Sequence, residues 1–413
     1  MQKRRVVVTG LGCISPVGNN VDEFWSSLNA GKSGVETITV FDPTDMPVKF
    51  SAPIKNFEAE KYFDVKEQRK LDTFMQYGMA AGIDAISDAD LSESRIDLER
   101  VGVAIGSGIG GLTSIEKTHN TYLKSGAKRI SPFFIPATII NMISGNLSIK
   151  YGYKGPNLSI VTACTTGTHN IGEGFRQIQY SNADIMICGG AEMATTPLGI
   201  GGFAAARALS TRNDEPQAAS RPWDIDRDGF VLGDGAGVLV LEELNHAQQR
   251  GAKIYAEVSG YGMSADAFHM TLPSETGEGA QRSMSNAIKD ANISVENISY
   301  INAHGTSTPA GDIVEAKAVR SLFGDHSKNL VVNSTKSMIG HLLGAAGGVE
   351  AIATILSLRD QKIHQTINVD NQDPECDLDF NTESSKNMEI EYALTNSFGF
   401  GGTNGSIVFS KYD

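Results

Sequence analysis

A chain of 413 residues exceeds the usual single domain, and its 40% hydrophobic content with 44 glycines suits a large, tightly turned α/β core, built as two domains or one duplicated one. The formal net charge of −13 argues against nucleic acid, whose phosphates would be repelled. The four cysteines, Cys13, Cys164, Cys188 and Cys376, form neither a metal-spaced pair nor a disulfide framework, and no run approaches the roughly 20 apolar residues of a membrane helix, so a soluble cytoplasmic protein is expected.

In chain order, a basic start (residues 1–5) leads into a Val-rich strand at 4–9, whose apolar run is too short and Gly-broken for a signal peptide. A helix face carrying Lys66, Arg69 and Lys70 is expected next, at spacings i, i+3 and i+4. The strand at 100–105 runs into Gly106-Ser107-Gly108-Ile109-Gly110-Gly111, which fits the nominal dinucleotide fingerprint. That reading fails because residues 130–133, about 20 positions on, hold no Asp or Glu. Further strands are expected at 158–161, 185–188 and 237–241, then a charged helix at 242–250. A boundary near Gly251 precedes a strand at 253–258, giving halves 1–251 and 252–413, and short strands follow at 299–303 and 330–333. Strands alternating with helical patterns imply sheets covered by helices. An internal echo accompanies them: Phe398, Gly401 and Gly405 each stand 168 residues after Phe230, Gly233 and Gly237, and His341 with Gly344 stands 172 after His169 with Gly172.

The chemistry concentrates at Cys164, His304 and His341. Cys164 lies where the 158–161 run gives way to a small-residue helical pattern, so unpaired N–H groups and the helix dipole would favour its thiolate. A buried, inert cysteine is the plainer alternative. His304, in Asn302-Ala303-His304-Gly305-Thr306-Ser307-Thr308, and His341, in Lys336-Ser337-Met338-Ile339-Gly340-His341, each follow a strand-like run and stand beside a glycine. One such histidine is more often structural; two with a helix-start cysteine point to one site.

Thr162-Ala163-Cys164-Thr165-Thr166-Gly167, the 304–312 and 336–347 segments, and Asn396-Ser397-Phe398-Gly399-Phe400-Gly401-Gly402 together resemble the condensing enzymes of the thiolase superfamily, in the β-ketoacyl-acyl carrier protein synthase II group, over nearly the whole chain. The resemblance implies a five-layer α-β-α-β-α fold of two similar halves. It further implies a decarboxylative condensation in which Cys164 holds the acyl chain and His304 and His341 donate to the enolate oxygen. By the same resemblance the Cys164 and Phe400 N–H groups meet the tetrahedral oxyanion, Phe400 gates the site, and Lys336 supports catalysis through a buried pair with Glu350. Ile109 is expected at the end of the acyl pocket, Thr306 and Thr308 on the phosphopantetheine arm, and Thr271 near its tunnel. Phe398 is assigned to the substrate, with an ordinary core aromatic as its plainer reading. The implied partner, acyl carrier protein, is acidic, so Lys66, Arg69, Lys70, Lys128, Arg129 and Arg207 are candidate docking residues. A homodimer is implied; no metal or bound cofactor is. A second cysteine in the C-terminal Gly-rich loop, which a degradative thiolase needs, is missing, whereas a stand-alone polyketide-type ketosynthase shares the Cys-His-His set. A nicotinamide-dependent dehydrogenase is the distant alternative.

Overall fold

The computed structural model describes residues 3–91 and 96–412; Met1 and Gln2 of the basic start lie outside them. The first half contains β1 (Val6–Ile14), α1 (Thr73–Asp88), β2 (Val101–Gly106), α2 (Leu112–Ser125), β3 (Asn157–Leu158), α3 (Thr166–Gln179), β4 (Ile185–Glu192) and β5 (Gly235–Glu243). The second contains β6 (Ala256–Ala265), α4 (Glu278–Asp290), β7 (Ile298–Asn302), α5 (Pro309–Phe323), β8 (Val331–Asn333), single-turn α6 (Lys336–Ile339), α7 (Ala346–Asp360), β9 (Tyr392–Gly399) and β10 (Thr403–Ser410).

Strand order is β3-β2-β4-β5-β1 in one half and β8-β7-β9-β10-β6 in the other. Each half follows one pattern, two parallel pairings and then two antiparallel ones. They join where β1 meets β6 through Val6↔Val258, Val7↔Glu257 and Val8↔Ala256. Strands covered on both faces read as continuous apolar runs, and β1, β4 and β5 are buried along their whole length. α3 and α7 lie between the halves, while α1 covers the outer face of the first and α4 that of the second, giving the α-β-α-β-α layering. α7 is buried from Ala346 to Leu358, as a helix apolar on every side must be. Its glycines permit backbone contact with the sheet: a Cβ on Gly237 would lie 2.4 Å from the carbonyl carbon of Gly348.

Several expected elements shift. The run at 158–161 pairs only through Asn157 and Leu158. Beyond them side chains take the backbone groups: Ile160 N–H donates to Asn170 Oδ1 and Thr162 N–H to Thr166 Oγ1, which replaces a ladder by a turn. The charged helix is shorter, Leu244–Gln249, because Glu242 and Glu243 end β5, and the strand expected at 253–258 starts at Ala256 and runs to Ala265. The 168-residue echo joins β5 to β10, which hold matching places in the two halves. The 172-residue echo is a coincidence. His169 lies inside α3 and His341 in a loop before α7. The matching turns are Ala163–Thr165 and Leu343–Ala345, 180 residues apart, each opening on a left-handed residue, Ala163 at φ 50° and Leu343 at φ 48°.

Candidate active site

The two matching turns meet at the centre of the molecule beside a cavity of about 470 Å³ lined by Cys164, His304, His341, Phe398 and Phe400. Ile109, Thr271, Thr306, Thr308 and Arg207 lie on the same lining. Segments far apart along the chain, from β2 to β10, thus converge, because the topology brings the ends of β7, β9 and α6 to the start of α3.

Cys164 is buried in the 3-10 turn that precedes α3. The expectation of a resting thiolate is not met. Burial pushes the thiol up to about 11, against the opposing pull of the Lys336 charge and of the Phe400 and Cys164 backbone N–H groups. Desolvation of the anion therefore outweighs the helix start. Phe400 reaches the sulfur with its N–H from the turn joining β9 to β10, where Gly401 and Gly402 adopt φ of 86° and 71°, a reversal that residues bearing Cβ rarely make. Its ring is 37% exposed, so it stands at the cavity mouth and not in the core.

The imidazoles of His304 and His341 stand edge to face, centroids 5.2 Å apart at 86°. His304 is fixed by Glu315, whose carboxylate accepts the His304 N–H at 2.9 Å and the Gly305 N–H at 2.8 Å. His341 donates its N–H to the Val231 carbonyl at 2.7 Å, and its ring packs against Phe230. Neither Nδ1 has a hydrogen-bond partner among the described residues. Burial, then the Lys336 charge, holds both rings well below the ordinary histidine value, so both are neutral. Phe398 packs its ring on His304, centroids 5.7 Å apart, so it bounds the cavity from the histidine side.

Behind the histidines, Lys336 Nζ donates to Glu350 Oε1 with both side chains buried. Burial pushes the Glu350 carboxyl up to about 7 even with Lys336 pulling it down, and its Oε2 has no partner among the described residues. Thr306 and Thr308 share a hydrogen bond of 3.0 Å between their hydroxyls, and the loop carrying them is pinned by Asp312, which accepts from the N–H groups of Thr306 and Ser307. Thr271 is exposed at the rim.

The helix expected to align Lys66, Arg69 and Lys70 is a single turn, Val65–Gln68, so the three do not share a helix face. Asp64 and Glu67 close a capping box on it, and the chain turns at Arg69 and Lys70 because Asp72 caps the following α1. All three are exposed, as are Lys128, Arg129 and Arg207; Lys70 Nζ sits 5.2 Å from the Phe133 ring centroid.

Three acids that orient the site went unassigned in the sequence: Asp312, Glu315 and Glu192. Asp312 and Glu315 are i, i+3 neighbours on α5, a spacing that places them on one face. Glu192 ends a buried strand, where an acid requires donors. Its carboxylate occupies the N–H groups of Gly108, Ile109 and Gly110, so the glycine-rich segment has no free nest for a dinucleotide's phosphates.

The family models for the N-terminal and the C-terminal domain of β-ketoacyl synthases match residues 3–247 and 255–370. A curated relative from Vibrio cholerae serotype O1, named 3-oxoacyl-[acyl-carrier-protein] synthase 2, is 57% identical over 413 residues, covering all of both chains. Relatives of the same name from Synechocystis and Staphylococcus aureus are 49% and 48% identical over 412 residues, covering all of this chain and 99% of theirs. Among solved structures, a type II polyketide acyl-carrier protein in complex with its ketosynthase aligns over all of both chains with TM-score 0.93 at 36% identity. A β-ketoacyl synthase from Burkholderia phymatum aligns over 99% of this chain and 100% of that one with TM-score 0.92 at 34% identity. With both domain models matched in order around one cysteine and two histidines, the chain belongs to the β-ketoacyl synthase family.

Proposed function

We propose that the protein is an elongating condensing enzyme of type II fatty acid synthesis, joining malonyl-acyl carrier protein to an acyl chain held on Cys164. The observation that carries this reading is the single cavity in which Cys164, two neutral imidazoles and the Phe400 turn meet. The acyl group arrives as a carrier thioester and passes to Cys164 Sγ. Because burial holds the sulfur as a thiol, its proton leaves as the new bond forms; one neutral imidazole in the same cavity accepts it and passes it to the carrier's pantetheine sulfur, which departs as a thiol and leaves both histidines neutral again. Malonyl thioester then loses carbon dioxide, and the electron pair of the broken C–C bond passes to the thioester enolate. Imidazole N–H donors from His304 and His341 stabilise that oxygen, a contribution for which one lost donor costs roughly 3–4 kcal/mol in comparable sites. The enolate carbon attacks the acyl carbonyl, the Cys164 and Phe400 N–H groups hold the oxyanion, and collapse releases the Cys164 sulfur and β-ketoacyl-carrier protein.

Lys336, held in place by its pair with Glu350, lowers the histidine basicity from behind the site, and Ile109, Thr271, Thr306, Thr308 and Phe398 line the path of acyl chain and phosphopantetheine. The substrates bring their own phosphopantetheine, so the reaction requires no bound cofactor. Carrier docking is assigned to Lys66, Arg69, Lys70, Lys128, Arg129 and Arg207; their exposure supports it, and they enter no side-chain ion pair among the described residues. Homodimerisation is supported by apolar side chains left exposed on and beside α2, including Leu123, Phe133 and Ile135. The division into 1–251 and 252–413 is supported by the passage between halves from β5 to β6. A cytoplasmic location belongs to the same reading; among the described residues no helix is long and apolar enough to cross a membrane. Identity of 57% to a relative named 3-oxoacyl-[acyl-carrier-protein] synthase 2, against 36% to a type II polyketide ketosynthase, favours this over a polyketide-type ketosynthase.

Single variants His304→Ala and His341→Ala test the assignment. Each is expected to lose malonyl-carrier decarboxylation by about 10²-fold or more while retaining some acylation of Cys164, since the other imidazole remains. Decarboxylation at the wild-type rate in both folded variants would refute the enolate-donor role.

A further inference from the structure

Resting on the functional reading above, we propose that Glu192 is a positioning residue that locks the Ile109 wall of the acyl cavity to the turn after His341 and so sets the discrimination between acyl lengths. Glu192 is fully buried at the end of β4. Its Oε1 accepts from Ser107 Oγ at 2.6 Å, from the Ile109 N–H at 3.1 Å and from the Gly110 N–H at 3.4 Å. Its Oε2 accepts from the Gly108 N–H at 2.7 Å and from the Gly344 N–H at 3.0 Å. Four of these five donors belong to the segment bearing Ile109, and the fifth lies three residues after His341.

The same place is closed sterically. A Cβ on Gly344 would lie 2.2 Å from the Gly108 nitrogen, and one on Gly190 would lie 2.1 Å from the Gly344 carbonyl oxygen. The two segments therefore touch backbone to backbone, and one carboxylate bridges them across the floor beneath Cys164. Ile109, Cys164, His341 and Leu343 all line the cavity, so the wall that meets the far part of an acyl chain and the turn beside the histidine are held by the same group. Without it, five donors lose their shared acceptor and the Ile109 segment loses its tie to the Gly344 turn. A wall that moves cannot reject an added methylene, a discrimination worth roughly 10- to 200-fold in a rigid pocket.

The test measures kcat/KM of wild type, Glu192→Gln and Ser107→Ala on acyl-carrier proteins of increasing chain length, with thermal unfolding beside it. A Gln side chain keeps the size but turns an N–H group toward one set of donors. In folded Glu192→Gln, the kcat/KM ratio between the best acyl chain and the first rejected longer chain is expected to fall by about tenfold. Ser107→Ala, which removes the shortest bond while keeping the carboxylate, should shift the ratio in the same sense by about threefold, and it carries the test if the Gln variant fails to fold. A ratio unchanged within a factor of two in a folded variant, or a uniform fall at every length, would overturn the proposal. A wild type that condenses no acyl-carrier substrate at all would instead overturn the functional reading.

Discussion

Replacing Lys336 by Met keeps most of the side-chain volume and removes the charge opposite Glu350. Both residues are buried, and Lys336 is the ion-pair partner of the Glu350 carboxylate, whose second oxygen is already unpaired among the described residues. Breaking a buried pair in this way costs roughly 3–5 kcal/mol, because a charge is left without compensation. Glu350 can escape part of that cost by binding a proton. Its carboxyl is already raised to about 7 by burial, and losing Lys336 raises it further. A carboxyl raised above its unfolded value contributes stability below that value and loses it as pH rises through the folded pKa. The Lys336→Met cost should thus be small near pH 5 and grow as pH rises above about 7, by about 1.4 kcal/mol for each pH unit over which Glu350 is ionised in the folded wild type and still protonated in the folded variant. Equilibrium urea unfolding of wild type, Lys336→Met, Glu350→Gln and the double variant at pH 8 reads it, with the single Lys variant expected to lose roughly 1 M or more in midpoint. The double variant should recover most of the loss. Strict additivity, with a coupling below about 0.5 kcal/mol, would refute the claim that the two side chains act as a buried pair.

Two further outcomes follow from charge. Arg69→Glu with Lys70→Glu should raise KM for acyl-carrier protein strongly while barely changing reaction with a small acyl thioester, and wild-type activity on carrier should fall as salt shortens the screening length from about 10 Å at 0.1 M; equal loss on both substrates would place the damage in the fold. His364, buried among Asn333, Thr335 and Gln365, is held down to about 4 by desolvation. Its folded pKa is depressed, so stability present above the ordinary histidine value is lost as pH falls, and relative to His364→Gln the wild type should lose about 2 kcal/mol between pH 7.5 and 5 in unfolding measurements. A parallel pH dependence in the two proteins would contradict that placement.

The layered α/β character was legible because strands covered on both faces carry unbroken apolar runs, as at β4 and β5, and because the site motifs are long. Short-range pattern misled where side chains competed with the backbone. Asn170 and Thr166 capture the N–H groups of Ile160 and Thr162, so a β-rich run became a turn. The Asp64 capping box and the Asp72 cap confined an expected basic helix to one turn. The cysteine's protonation depended on burial, which a sequence at a helix start does not disclose, and burial won. Glu192 and Glu315 were invisible for a related reason: their donors are backbone N–H groups from distant segments, and backbone carries no sequence signature.

The central claim is that Cys164 holds the growing chain. Mass spectrometry of the intact protein after incubation with acyl-carrier protein tests it directly. The account predicts one acyl adduct, located at Cys164, that disappears on adding malonyl-carrier protein as β-ketoacyl product forms, with no adduct in Cys164→Ala. Condensation by a folded Cys164→Ala variant, or an adduct at Cys13, Cys188 or Cys376 that malonyl-carrier protein discharges, would contradict it.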